Sequence, residues 1–85
     1  MENIVKEHIK ILANINATNE MYNISEEDLA KRRAIIKRLS HLEIIELDKD
    51  KFSGKFAFNS KEGQDLYLNE YEKRKEYLRN ENTQT

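Results

Sequence analysis

The chain has no cysteine and no proline, and its only glycines are Gly54 and Gly63. Without cysteine, a disulfide framework and a thiolate metal site are both excluded, as is nucleophilic chemistry at sulfur. With no proline and so little glycine, the collagen-like and Pro/Gly-rich disordered classes are excluded too. The two glycines are isolated from each other, so no glycine-rich phosphate loop exists. No apolar run approaches the roughly 18 residues of a membrane span. The N-terminus lacks the basic-then-apolar order of a signal peptide. These absences lead us to expect a soluble, cytoplasmic protein with no membrane partner.

What remains is a charged, helix-favouring chain of 85 residues, 36% charged and 38% hydrophobic, with a mean hydropathy of -0.91. That length allows one domain with a modest core, burying only about 60% of the unfolded surface, so self-association would help it. The formal net charge of -1 conceals blocks of one sign. Ser25-Glu26-Glu27-Asp28 is acidic. Residues 29–42 carry Lys31, Arg32, Arg33, Lys37 and Arg38 without an acid. Glu43 to Asp50 is acidic again, and Lys51 to Lys61 is basic. A near-neutral total opposes bulk electrostatic binding to nucleic acid, whereas local basic blocks permit it, because affinity depends on the patch that meets the phosphates. Alternating blocks of this kind also arise as ordinary solvated faces.

Apolar periodicity predicts the elements. Ile4, Val5, His8, Ile9, Leu12 and Ile15 share one helical face, so residues 2–15 form a first helix. His8 within that face is read as a half-buried histidine bonded to a backbone carbonyl. Asn14, Asn16 and Asn19 interrupt the pattern, and Asn16 or Thr18 would cap a short second helix ending at Tyr22. Ser25 is an N-cap followed by three carboxylates that suit the positive end of a helix dipole. The third helix then runs to about His41, with an apolar stripe of Leu29, Ile35, Ile36, Leu39 and Leu42. Arg32 falls inside the stripe and must either snorkel to solvent or pair with a carboxylate, with Glu20 and Glu43 as candidates. On the opposite face Ala30 and Ala34 are flanked by Lys31, Arg33, Lys37, Arg38 and His41. Small side chains there allow close approach of a partner, and long cations reach phosphates or base edges. Glu26 and Glu27 oppose this at the N-terminal end, where reading helices usually touch bases. Residues 43–47 and 56–59 read as two strands of a hairpin whose tip carries Lys49, Lys51 and Lys55. Ser60 caps a last helix running to about Arg79. Its stripe of Leu66, Tyr67, Tyr71, Tyr77 and Leu78, with Glu70 and Arg74 as an internal i,i+4 pair, suits either a homodimer interface or the chain's own core. Residues 80–85 are expected to fray.

Two segments resemble a known family. Leu29–Ile45, "LAKRRAIIKRLSHLEII", is similar to the "LxRLxxxGLI" ending of a recognition helix in many bacterial regulators: Leu39, Leu42, Ile44 and Ile45 match, and the glycine is missing. Ser60–Leu68, "SKEGQDLYL", is similar to the "TxxGxxxL" that opens the helix after the wing in MarR- and PadR-like regulators. Ser60, Gly63, Leu66, Tyr67 and Leu68 match, with Asn59 where an apolar residue is usual. The order of elements resembles that of a winged helix-turn-helix domain. That implies an α+β, mostly helical fold over residues 1–79, with three N-terminal helices, a two-stranded wing and a C-terminal helix. A plain helical hairpin carrying a β-hairpin is the other arrangement this order allows. The resemblance implies binding to double-stranded DNA, AT-rich by the composition of the chain, through Lys31, Arg33, Lys37, Arg38, His41, Lys49, Lys51 and Lys55. It also implies a homodimer through the C-terminal helix, acting as a transcriptional regulator or a plasmid or phage accessory factor.

Other chemistries find little support. His8 and His41 lie on different elements, so no metal triad is evident. The carboxylate pairs sit at helix starts or beside lysines, where capping and ion pairing account for them. So small a chain leaves little room for a water-excluding pocket. No cofactor and no enzymatic activity are expected. The alternative to DNA binding is a protein-interaction module, which Glu26, Glu27 and the near-neutral charge favour.

Overall fold

The structure is a computed structural model that describes residues 2–47 and 56–83. Three helices and one antiparallel hairpin make up those residues: α1 (Asn3–Met21), α2 (Glu26–His41), β1 (Ile45–Leu47), β2 (Phe56–Phe58) and α3 (Lys61–Thr83). The fold is α+β and mostly helical. Two helices precede the hairpin rather than three.

The expected break near Asn16 does not occur. Ile15 and Ala17 are buried and continue the face begun by Val5, Ile9, Leu12 and Ala13. Packing of that face carries the helix through the asparagines and overrides their local preference for turns. Neither proposed cap acts as one. The Thr18 hydroxyl donates back to the Asn14 carbonyl at 2.8 Å, and the Asn16 amide reaches sideways to other helices. The start of α1 has no side-chain cap and no acid in its first turn. This helix is therefore held by burial rather than by its ends.

The caps of the other two helices are as expected. Asp28 N–H donates to Ser25 Oγ at 3.2 Å, and Gly63 N–H donates to Ser60 Oγ at 3.2 Å. α3 continues four residues past its expected end, to Thr83. α1 packs mainly along α3 and more lightly against α2. Val5, Ile9, Leu12, Ile35, Leu39 and Ile45 form the core, with Ile44, Phe56, Phe58, Leu66 and Tyr67 packed around it. Leu42, placed in the apolar stripe of α2 by its spacing, is instead 50% exposed, because the chain turns away there.

That turn directs the hairpin. Ile44 N–H donates to the Leu39 carbonyl at 2.9 Å and Glu43 N–H to the Ser40 carbonyl at 3.0 Å. These are the two bonds of a Schellman motif, and Ile44 packs on the core beside Leu39 as the motif requires. Glu43 takes the left-handed position, with φ of 60°. It is the residue that stands at the glycine of the resembling pattern, so an L-residue with a Cβ occupies a conformation that glycine adopts without cost. Asn59 ties the turn to the second strand: its N–H donates to the Ile44 carbonyl at 3.0 Å and its side-chain amide to the Glu43 carbonyl at 2.8 Å. The strands then pair Ile45 with Phe58, Glu46 with Ala57 and Leu47 with Phe56.

Glu43→Gly is expected to raise stability by about 1 kcal/mol by relieving the left-handed residue. Glu43→Ala, which keeps the Cβ, should give no such gain. Urea denaturation of both variants checks this. A glycine variant no more stable than the alanine variant would contradict it.

Candidate nucleic-acid interface

α2 has two chemically distinct sides. At roughly 100° per residue, Ile35 and Leu39 point into the core while Ala30, Ala34, Lys37 and His41 lie on the far side of the helix. Ile35 and Leu39 are buried. Ala30, Lys31, Arg33, Ala34, Lys37, Arg38 and His41 are all exposed. Among the described residues none of these five basic side chains is in an ion pair. The helix therefore presents a low ridge of alanines bordered by unpaired basic groups. Glu26 and Glu27, both exposed, occupy the N-terminal end of the same side. The cationic part of the surface is thus the middle and C-terminal half of α2. Lys49, Lys51 and Lys55 of the expected wing lie outside the described residues.

The inner side of α2 is anchored by a polar relay that sequence reasoning missed. Arg32 Nε donates to Asn16 Oδ1 at 2.6 Å, and Asn16 Nδ2 donates to the Tyr67 hydroxyl at 2.8 Å. Neither expected carboxylate meets Arg32: Glu20 is engaged by α3, and Glu43 sits in the turn after α2. An amide suits the position because it accepts from a cation on one side and donates to a phenol on the other. Burial pushes the Tyr67 hydroxyl above its ordinary value of 10.0, with the Asn16 bond opposing. The Tyr67 ring lies 5.7 Å from Phe56 and 5.3 Å from Phe58, so the relay continues into the hairpin as an aromatic cluster. No local pattern signals it, since its partners lie far apart along the chain.

The α3 stripe offered as a homodimer interface is mostly occupied within the chain. Leu78 is buried, and Leu66 and Tyr67 pack on the core. The Tyr71 hydroxyl donates to Glu20 Oε2 at 2.6 Å, where Lys75 Nζ also binds at 3.1 Å. The expected Glu70–Arg74 pair is not formed. Glu70 lies 3.9 Å from Lys73, while Arg74 Nε donates to Thr18 Oγ1 at 3.4 Å and its guanidinium sits over the Tyr77 ring. Those i,i+4 partners are drawn apart because Arg74 finds a hydroxyl on α1. Tyr77, at 56% exposure, is the one member of the stripe left largely open. His8 is half-buried, but its Nδ1 has no hydrogen-bond partner among the described residues, contrary to the carbonyl bond expected for it.

The end of α1 is thus pinned to α3 by a pH-dependent contact. The Tyr71 hydrogen bond, then the Lys75 contact, hold the Glu20 carboxyl below its ordinary value of 4.5. Burial, then the bond to Glu20, pushes the Tyr71 hydroxyl up. A carboxyl lowered on folding contributes stability that is present above pH 4.5 and lost as pH falls through its folded value. NMR titration should place Glu20 below 4.5 in the wild type and move it back towards 4.5 in Tyr71→Phe. An unchanged Glu20 titration in that variant would show that the phenol is not its partner.

Compared with protein-family models, with curated proteins and with solved structures, the chain finds no match.

Proposed function

We propose that this chain is a small DNA-binding protein that lays the solvent side of α2 against duplex DNA. The observation that carries the reading is the combination on that side of exposed Ala30 and Ala34 with Lys31, Arg33, Lys37, Arg38 and His41, none of them paired among the described residues. Unpaired surface cations bind phosphate oxygens with release of counterions, and a ridge of small side chains lets the helix backbone come close. The acids at Glu26 and Glu27 repel phosphate, so contact is centred on Lys37, Arg38 and His41 rather than on the first turn.

A winged-helix arrangement is the finer fold reading. Its support is the helix–helix–hairpin–helix order, the Schellman turn that leads straight from α2 into β1, and the Ser60 cap after β2. In that reading the hairpin is the wing, and the role is that of a regulator or of an accessory factor of a mobile element. Merging of the short helix into α1 leaves a short link, Tyr22–Ser25, extended at both ends, between α1 and the recognition helix. A second reading, protein binding by the same side of α2, is favoured by Glu26 and Glu27.

Fluorescence anisotropy with a labelled AT-rich duplex, at low and at physiological salt, separates the two. Binding should weaken steeply with salt, and Lys37→Ala and Arg38→Ala should each lower the slope of log K against log salt by about one. No binding at low salt, or a slope untouched by either variant, would overturn the DNA reading.

A further inference from the structure

A groove of about 540 Å³ runs along the hairpin on the far side of α2 from its basic surface. Its walls include Phe56, Ala57 and Phe58 of β2, Gln64 and Leu68 of α3, and Arg32 of α2, with Asn16 and Tyr67 of the relay behind them. Side chains of alternate strand residues point to opposite faces, so one face of a sheet cannot expose Phe56, Ala57 and Phe58 together. A groove lined by all three, and by nothing from β1, follows the edge of β2 that β1 leaves open. The hydrogen-bond register identifies what that edge offers. Asn59 donates to Ile44, so Asn59 and Ile44 are a bonded pair. By alternation Ala57 bonds across to Glu46, and the N–H and C=O groups of Phe56 and Phe58 point away from β1. Among the described residues no backbone partner meets them there.

The chemistry beside the edge is selective. Arg32 is half-buried, and no carboxylate reaches it among the described residues. Asn16 holds its Nε, which leaves the terminal nitrogens of the guanidinium for another acceptor. A guanidinium held on one side is preorganised to take a carboxylate in a forked pair. Leu68, 46% exposed, and the two phenylalanines supply apolar contact.

We propose that this groove binds an extended peptide segment of a partner protein, which adds to β2 as a third strand and places an acidic side chain on Arg32. Main-chain bonds to Phe56 and Phe58 supply affinity that any strand could use, and the arginine and the apolar walls choose the sequence. The site is separate from the DNA-binding surface. Arg32 and Lys37 lie on opposite sides of α2, so either activity can fail without the other.

The probe is a short acetylated peptide alternating valine and threonine with one central glutamate, added to the full chain. Its control carries lysine in place of the glutamate. The glutamate peptide should shift the amide resonances of Phe56 and Phe58 and slow their hydrogen exchange. The lysine peptide should bind about tenfold more weakly, as loss of one charge-assisted bond requires. Arg32→Gln, which keeps a donor for Asn16, should remove the difference between the peptides. Leu68→Asp, at an exposed position, should weaken the glutamate peptide without touching the relay. Several outcomes would overturn the proposal. One is no protection of Phe56 and Phe58 at roughly millimolar peptide. Another is equal binding of both peptides. A third is protection that rises with protein concentration alone, which would assign the edge to a second copy of the chain. Benzoate that competes at Arg32 while the peptide leaves the amides unprotected would make the groove a small-acid site instead.

Discussion

The side-chain amide of Asn16 is where the three helices are joined. It stands on α1, accepts from Arg32 of α2 and donates to Tyr67 of α3. Much of the architecture follows from that junction. α1 stays unbroken past it, because the amide is committed to its neighbours rather than to its own backbone. With Arg32 drawn inward, α2 is fixed in rotation, so Ala30, Ala34, Lys37 and His41 must face solvent. Tyr67, held at its hydroxyl, turns its ring to Phe56 and Phe58 and so anchors the hairpin to α3. Net worth for bonds of this kind is about 1 kcal/mol each when neutral and about twice that when one partner is charged. Leaving the half-buried Arg32 or Tyr67 without its partner would cost more than the bonds return.

The hairpin depends on a second constraint at the end of α2. A Schellman turn reverses the chain within two residues and delivers Ile45 to the core at 2% exposure. Glu43 accepts a left-handed backbone to do so, and Asn59 then locks the turn to β2. Among the described residues two short strands follow, and no third strand pairs with the outer edge of β2. That edge faces the cleft where Arg32 emerges. The same rotation of α2 thus creates a cationic surface outside and a solitary guanidinium inside.

The parts legible in the sequence were those governed by near neighbours. Ser25 and Ser60 announce helix starts because the groups they satisfy lie three residues on. The Ile35–Leu39 side of α2, and with it the basic side opposite, is fixed by periodicity alone. Asn16 reads as a turn residue in the sequence because its partners lie 16 and 51 residues away, beyond any local pattern. The spacing leaves Arg32 to snorkel or to meet a carboxylate; a neutral amide beside an open groove meets the need at partial burial. The tyrosine stripe of α3 reads as part-buried, but periodicity does not say whether α1 or another chain covers it. The edge groove is illegible in the sequence, since it exists only where α1, α2, β2 and α3 converge.

The most direct test of the two-sided α2 is a chemical-shift map of the full chain titrated with duplex DNA at low salt. The proposed DNA interface predicts that backbone amides of Ala30, Ala34, Lys37 and His41 move while the Arg32 Nε–H, held on Asn16, stays in place. Shifts gathered at Phe56, Gln64 and Leu68, with the outer side of α2 silent, would contradict it.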